Sequence, residues 1–83
     1  MNMKTTNRVA VKIDDMQKAI KLYEMAATAD GVVSVEQGQW RSPVQSPLGF
    51  FGMCAYNKDG VLEIISEDQA FMNKLLQAKD LIA

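Results

Sequence analysis

The sequence predicts an α+β fold: a four-stranded antiparallel sheet covered on one face by three helices, in the order β-α-β-β-α-β-α. Three observations carry this. Val9, Val11 and Ile13 alternate with Arg8, Ala10 and Lys12, the period-two pattern of a half-buried strand. Two later stretches, opening at Asp14 and at Ser66, carry apolar residues three and four apart, the spacing of a helix with one buried face. Turn signals at Gly31, Gly38 and Gly60 separate short segments, and a chain of 83 residues has room for one domain, 1–83.

The elements follow in order. Residues 1–7 are polar and read as an extended or flexible lead into the first strand. Asp14 and Asp15 then place carboxylates at the amino end of a helix, where its dipole favours them. Met16, Ala19, Ile20, Tyr23, Ala26 and Ala27 form its expected buried face, with Lys18, Lys21 and Glu24 toward solvent. Asp30-Gly31 stops this helix, with Gly31 expected in the left-handed conformation. Residues 32–36 read as a second strand, Gln37-Gly38-Gln39 as a hairpin turn and Trp40-Arg41 as a short third strand. Pro43 has no N–H to give a ladder, so this third strand belongs on an edge.

Ser46 caps the next helix, and Pro47 fills its first position, where the missing N–H costs nothing. Asn57-Lys58-Asp59-Gly60 is a turn, and residues 61–65 are a fourth strand. Ser66-Glu67-Asp68-Gln69 has capping-box spacing, with Ser66 as cap and Gln69 reaching back. Ala70, Phe71, Leu75, Ala78 and Ile82 continue as the buried stripe of a last helix. A ferredoxin-like unit with an added carboxyl-terminal helix competes, but it needs a longer second helix than Pro47, Gly49 and Gly52 favour.

Composition narrows the function. A formal charge of −1 with scattered basic residues lacks the basic patch of a nucleic-acid binder. There is no histidine, which removes the commonest general base, zinc ligand and nitrogen phosphoryl acceptor. The one cysteine, Cys54, can build neither an intramolecular disulfide nor a Cys/His zinc site, and reads as a small buried hydrophobe. The amino terminus lacks the apolar core of a signal peptide, and the longest apolar run is too short to span a bilayer. The expectation is a cytoplasmic protein with no membrane partner, no cofactor and no metal.

The most informative stretch is Ser46-Pro47-Leu48-Gly49-Phe50-Phe51-Gly52-Met53-Cys54-Ala55-Tyr56. Phe50 and Met53 are expected in the core, Leu48 and Phe51 nearer the surface, and the two glycines suggest close packing or a loosely held helix. A hydroxyl at the helix tip beside apolar residues suits a docking surface; a packed connecting helix is the plainer reading.

The element order, the first helix stopping before Gly31, and Ser46-Pro47-Leu48-Gly49 opening a short apolar helix together resemble the HPr family, the small phosphocarriers of the phosphoenolpyruvate-dependent sugar phosphotransferase system. The resemblance runs from about Arg8 to Ile82 and rests on order and spacing more than on identities. It implies an open-faced β-sandwich with the third strand on an edge. The family's G-I-H-A-R-P-A stretch corresponds to Ile13-Asp14-Asp15-Met16-Gln17-Lys18-Ala19, in which only Ala19 is kept. The histidine position falls on Asp15 and the arginine position on Gln17, so phosphohistidine chemistry is excluded by residue type.

Asp15 as an aspartyl-phosphate acceptor would want a metal and a lysine beside it. Asp14 and Asp15 could hold a cation only in part and Lys18 lies one turn on, so a helix-capping role for these acids is the simpler reading. HPr relatives that lack the histidine keep the serine at the second helix and act as regulators, phosphorylated by a dedicated kinase and docking on a transcription regulator. The resemblance therefore implies Ser46 as a phosphorylation site at a helix amino terminus. Pro47 removes one N–H there, and the basic residue before the serine is Gln45. The partner-binding positions carried over are Asp15, Gln17, Ile20, Pro47, Leu48 and Phe51, with Ile20, Leu48 and Phe51 as an apolar patch between two helix starts. The expected function is that of a non-enzymatic regulatory or interaction module. The alternatives are a phosphoryl carrier using Asp15 or a hydroxyl, and an interaction or small-ligand module unconnected to sugar transport.

Overall fold

A computed structural model describes residues 7–57 and 59–83; the expected extension at 1–6, and Lys58 in the turn before the fourth strand, lie outside the described residues. The chain runs β1 (Arg8–Lys12), α1 (Met16–Ala27), β2 (Val33–Gln37), β3 (Trp40–Pro43), α2 (Pro47–Tyr56), β4 (Val61–Ser66) and α3 (Gln69–Gln77). The strands form one antiparallel sheet in the order β1-β4-β2-β3. The fold is α+β, an open four-stranded sheet with three helices. With β1 at an edge, the ferredoxin-like order, which holds its first strand inside the sheet, is ruled out.

Strict alternation decides which face is covered. Val9, Val11, Val33, Val35, Leu62 and Ile64 all point to one side and are buried, together with Phe50 and Met53 of α2 and Phe71, Met72 and Leu75 of α3. Val9, Val11, Ile13, Phe50, Met53, Ile64, Phe71 and Leu75, drawn from strands and helices along the chain, share this one core. The other face is solvated and charged: Arg8 bonds Glu36 at 2.9 Å and Glu63, and Arg41 lies 3.8 Å from Glu36.

Both sheet edges are partly covered. On β1 the carboxyl-terminal segment adds a bridge, Val11 with Ile82, flanked by Lys12 N–H donating to Leu81 (2.7 Å) and Ala83 N–H to Ala10 (3.2 Å). Ile82 is thus no continuation of the last helix, as its spacing predicts; α3 ends at Gln77 and the chain turns back onto the sheet. On β3, Pro43 offers no N–H, and its carbonyl already accepts from Ser46 N–H at 3.1 Å. A proline and a short strand are the usual means of blunting an edge.

Several local expectations are corrected. The buried face of α1 is Ala19, Leu22 and Ala26, with Met16 and Ile20 exposed, Ala27 exposed and Tyr23 half-buried. Two alanines around one leucine let the helix lie close on the sheet, which turns the bulkier Met16 and Ile20 outward. The second strand starts at Val33, Val32 being exposed, and the third extends through Pro43. Gly31 is not left-handed; Gly38 (φ +60°), first in a two-residue hairpin loop, and Gly60 (φ +77°) are. The capping box does not form. Asp68 is the cap of α3, accepting from Phe71 N–H at 3.1 Å, while Ser66 accepts from Asp68 N–H and donates to the Val32 carbonyl. In α3, Ala70 is exposed and Met72 takes a buried place.

Candidate functional site

Asp15 has extended backbone and caps α1, its carboxylate accepting from Lys18 N–H at 2.8 Å. Asp14 pairs with Lys18 Nζ at 3.0 Å, and this ammonium holds the Asp14 carboxyl below its ordinary value. Both acids are engaged structurally. They line a small pocket of about 180 Å³ with Met16 and Ala19 on one side and Cys54, Ala55 and Asn57 on the other. Desolvation pushes the Cys54 thiol up to about 11, so at neutral pH it is a thiol and a poor nucleophile. Among the described residues, no three His, Cys, Asp or Glu side chains are gathered to hold a metal ion.

That pocket also gives the relative direction of the two helices. The start of α1 faces the end of α2, so the pair is antiparallel. Ser46 lies at the other end of the seam. Its neighbour Gln45 donates from its carboxamide to the Gly31 carbonyl (2.9 Å) and the Ala26 carbonyl (3.4 Å), and accepts from Val33 N–H (3.1 Å). The expectation of a patch between two helix starts is therefore corrected: Asp15 and Ser46 mark opposite ends of one seam. Gln45 stands where the resemblance wants a base, and it instead ties the last turn of α1 to the first residue of β2.

Along the seam, Tyr23 and Phe51 meet with ring centroids 5.5 Å apart, and Phe51 meets Phe50 at 5.3 Å. Ile20 lies one turn before Tyr23 and Leu48 one turn before Phe51, which sets two exposed apolar side chains on either side of that ring pair along the seam. Of the six expected partner-binding positions, Asp15, Gln17, Ile20, Pro47 and Leu48 are exposed and Phe51 is half-buried. Leu48 is 91% exposed.

Ser46 holds the cap position of α2 but its hydroxyl makes no capping bond. Its carbonyl accepts from Phe50 N–H at 2.9 Å. With proline at the first helical position, the N–H groups of Leu48 and Gly49 are the ones left without an intrahelical partner at this end. Gly49 lies close on β3: a Cβ there would overlap Ser42 Oγ as it stands and lie 3.2 Å from Ser42 Cβ, so α2 rests on β3 at this point. At Gly52 a Cβ would meet nothing within 4 Å.

Two features went unread in the sequence. Tyr56, 77% exposed, lies tilted against half-exposed Trp40 with ring centroids 6.2 Å apart, extending the apolar surface past the end of α2. The signal was present: ten residues from Pro47 to Tyr56 without one charge is more apolar surface than Phe50 and Met53 can hide. The second is an open cleft of about 760 Å³ on the solvated face, bordered by Val32, Arg41, Ile65 and Asp68. Its central carboxylate, Asp68, is already spent on the N–H groups of Phe71 and Asp30. No helix among the described residues is long and apolar enough to cross a membrane. Comparison with family models, with curated proteins and with solved structures gives no match.

Proposed function

We propose that this protein is an HPr-like interaction domain without phosphohistidine activity, which binds another protein through the α1–α2 seam and is controlled by phosphorylation of Ser46. The observation that carries the docking reading is α2: an uncharged helix with two buried side chains, and Leu48 at its start bare to solvent. The ion-paired open face of the sheet supports the same choice, since α2 offers uncharged surface where that face is charged. The HPr likeness draws support from the third strand lying at an edge and from Asp15 and Ser46 each standing at a helix cap. The capping bond of Asp15 favours a structural role over an aspartyl-phosphate one.

The test has two arms. Incubation with enzyme I and labelled phosphoenolpyruvate is expected to leave the chain unlabelled, and stable label would establish a carrier instead. Incubation with the serine kinase and ATP is expected to label the wild type and spare Ser46→Ala. Label on neither would detach the domain from phosphotransferase regulation.

A further inference from the structure

We propose that the open cleft between the start of β2 and the start of α3 binds a short peptide, two or three residues long, with free ends and apolar side chains. The cleft lies on the solvated face of the sheet, apart from the α1–α2 seam, and stands independently of the docking reading. Its volume of about 760 Å³ suits a small-molecule ligand. The floor is Ile65 of β4, paired in the register with Ser34 of β2, and one wall is Val32, 67% exposed. The banks are held in place: Asp30 N–H donates to Asp68 Oδ2 at 2.8 Å, and Ser66 Oγ to the Val32 carbonyl at 3.1 Å.

Four side chains in the cleft have polar capacity that the fold leaves unused. The Arg41 guanidinium stands 3.8 Å from Glu36 Oε2, too far for a hydrogen bond, and makes no hydrogen bond among the described residues. The Asp30 and Glu67 carboxylates have no ion pair among those residues, and the half-buried Ser34 hydroxyl has no hydrogen-bond partner there. Together these groups select the occupant. A simple anion is repelled by Asp30 and Glu67, and Asp68 already occupies the amino end of α3. A simple cation is repelled by Arg41 and gains nothing from Val32 and Ile65. A molecule with an ammonium at one end, a carboxylate at the other and an apolar body meets every group. Its carboxylate takes the Arg41 fork and its ammonium lies by Asp30 and Glu67. Distance sets its length. Arg41 is on β3 and Glu67 follows β4, with β2 between, so the two banks are two strand spacings apart, about 10 Å. An extended backbone advancing about 3.4 Å per residue covers this in two or three residues. A free amino acid, with both charges on one carbon, reaches one bank only. The peptide's amide groups pass over Ser34, whose hydroxyl both donates and accepts.

Calorimetric titration of the full chain with the tripeptide Leu-Ala-Leu, up to about 10 mM, tests this. The amino-acetylated and carboxyl-amidated tripeptides and free leucine are titrated beside it, and NMR locates the binding. Saturable binding is expected, with amide shifts at Ser34, Ile65 and Glu67. Capping either end is expected to weaken it about threefold or more, and free leucine to bind about tenfold more weakly or worse. Arg41→Gln is the decisive variant, since Arg41 is exposed and its replacement leaves the core untouched. In that variant the free and amidated tripeptides are expected to bind alike, while acetylation still weakens binding. Asp30→Asn combined with Glu67→Gln is expected to give the converse. No saturation at about 10 mM overturns the proposal. So do capped tripeptides that bind like the free one, leucine that binds as tightly, and shifts confined to the α1–α2 seam. An amidation penalty that persists in full in Arg41→Gln overturns it as well, because the carboxylate then lies elsewhere.

Discussion

Gly49 and Gly52 are three residues apart on one helix, and the structure gives them opposite roles. Gly52 faces open space, so Gly52→Ala adds helix propensity at no steric cost and is expected to stabilise the fold by up to about 1 kcal/mol. Gly49 rests on Ser42, so Gly49→Ala must turn the Ser42 hydroxyl away from the Pro43 carbonyl and press on Ser42 Cβ, and is expected to destabilise by about 1 kcal/mol relative to Gly52→Ala. Denaturant melts of both variants check the pair, and equal shifts would contradict the packing described. Asp68 is the other residue with a distinct signature. The N–H groups of Phe71 and then Asp30 hold its carboxyl below the ordinary 3.8. A carboxyl that titrates lower in the folded chain than in the unfolded one contributes fully above the ordinary aspartate range. That contribution is lost as pH falls through the folded value. The melting temperature should therefore drop on acidification below about pH 4, and Asp68→Asn should flatten part of that drop. Parallel profiles for wild type and variant would contradict the role of Asp68.

At the scale of elements, each helix is fixed by a different mixture of cap and stripe. Asp15 caps α1 through Lys18 N–H. Asp15→Asn is accordingly expected to be nearly neutral and Asp15→Ala to cost about 1 kcal/mol in thermal or denaturant melts. In α3, Phe71 is buried against the sheet, and Phe71→Ala is expected to cost about 3–5 kcal/mol; a loss below about 1 kcal/mol would place it outside the core. Strands and core were legible in the sequence because alternation and buried Val, Ile and Phe report directly on side-chain direction, as Val9, Val11 and Ile64 show. Helix facing was less so. In α1 the spacing fits either Ile20 or Leu22 in the buried stripe, and only the close seating of Ala19 and Ala26 on the sheet selects Leu22. The cap of α3 was missed for a related reason. Ser66 and Asp68 are both good caps, and Ser66 is drawn away by the Val32 carbonyl, a partner 34 residues distant. Ile82 pairs with Val11 across 71 positions of sequence, and no local pattern encodes that.

For the whole molecule, charge and hydrogen bonding leave one kind of surface unspent. The sheet's open face is laced by Arg8, Glu36 and Glu63, its edges are partly covered by the carboxyl-terminal segment and Pro43, and α2 presents uncharged apolar surface to solvent. Ile20, Leu48 and Phe51 were grouped by the resemblance to the HPr family and not by spacing, which sets Ile20 in the buried face of α1. Their antiparallel setting was not legible either, since it depends on how α1 and α2 lie across a common sheet. The most direct test of a docking seam is calorimetric titration of a protein captured by the immobilised wild-type chain. It would be run against wild type, Leu48→Ala, Phe51→Ala and the open-face control Arg41→Ala. Leu48 is the cleaner probe, because Phe51 also supports Tyr23 and Phe50. The account predicts that Leu48→Ala and Phe51→Ala each weaken binding by about 1 kcal/mol or more, that Leu48→Ala leaves the melting curve unchanged, and that Arg41→Ala binds as wild type. Full affinity in both seam variants, with loss in Arg41→Ala, would contradict it and move the binding surface to the open face of the sheet.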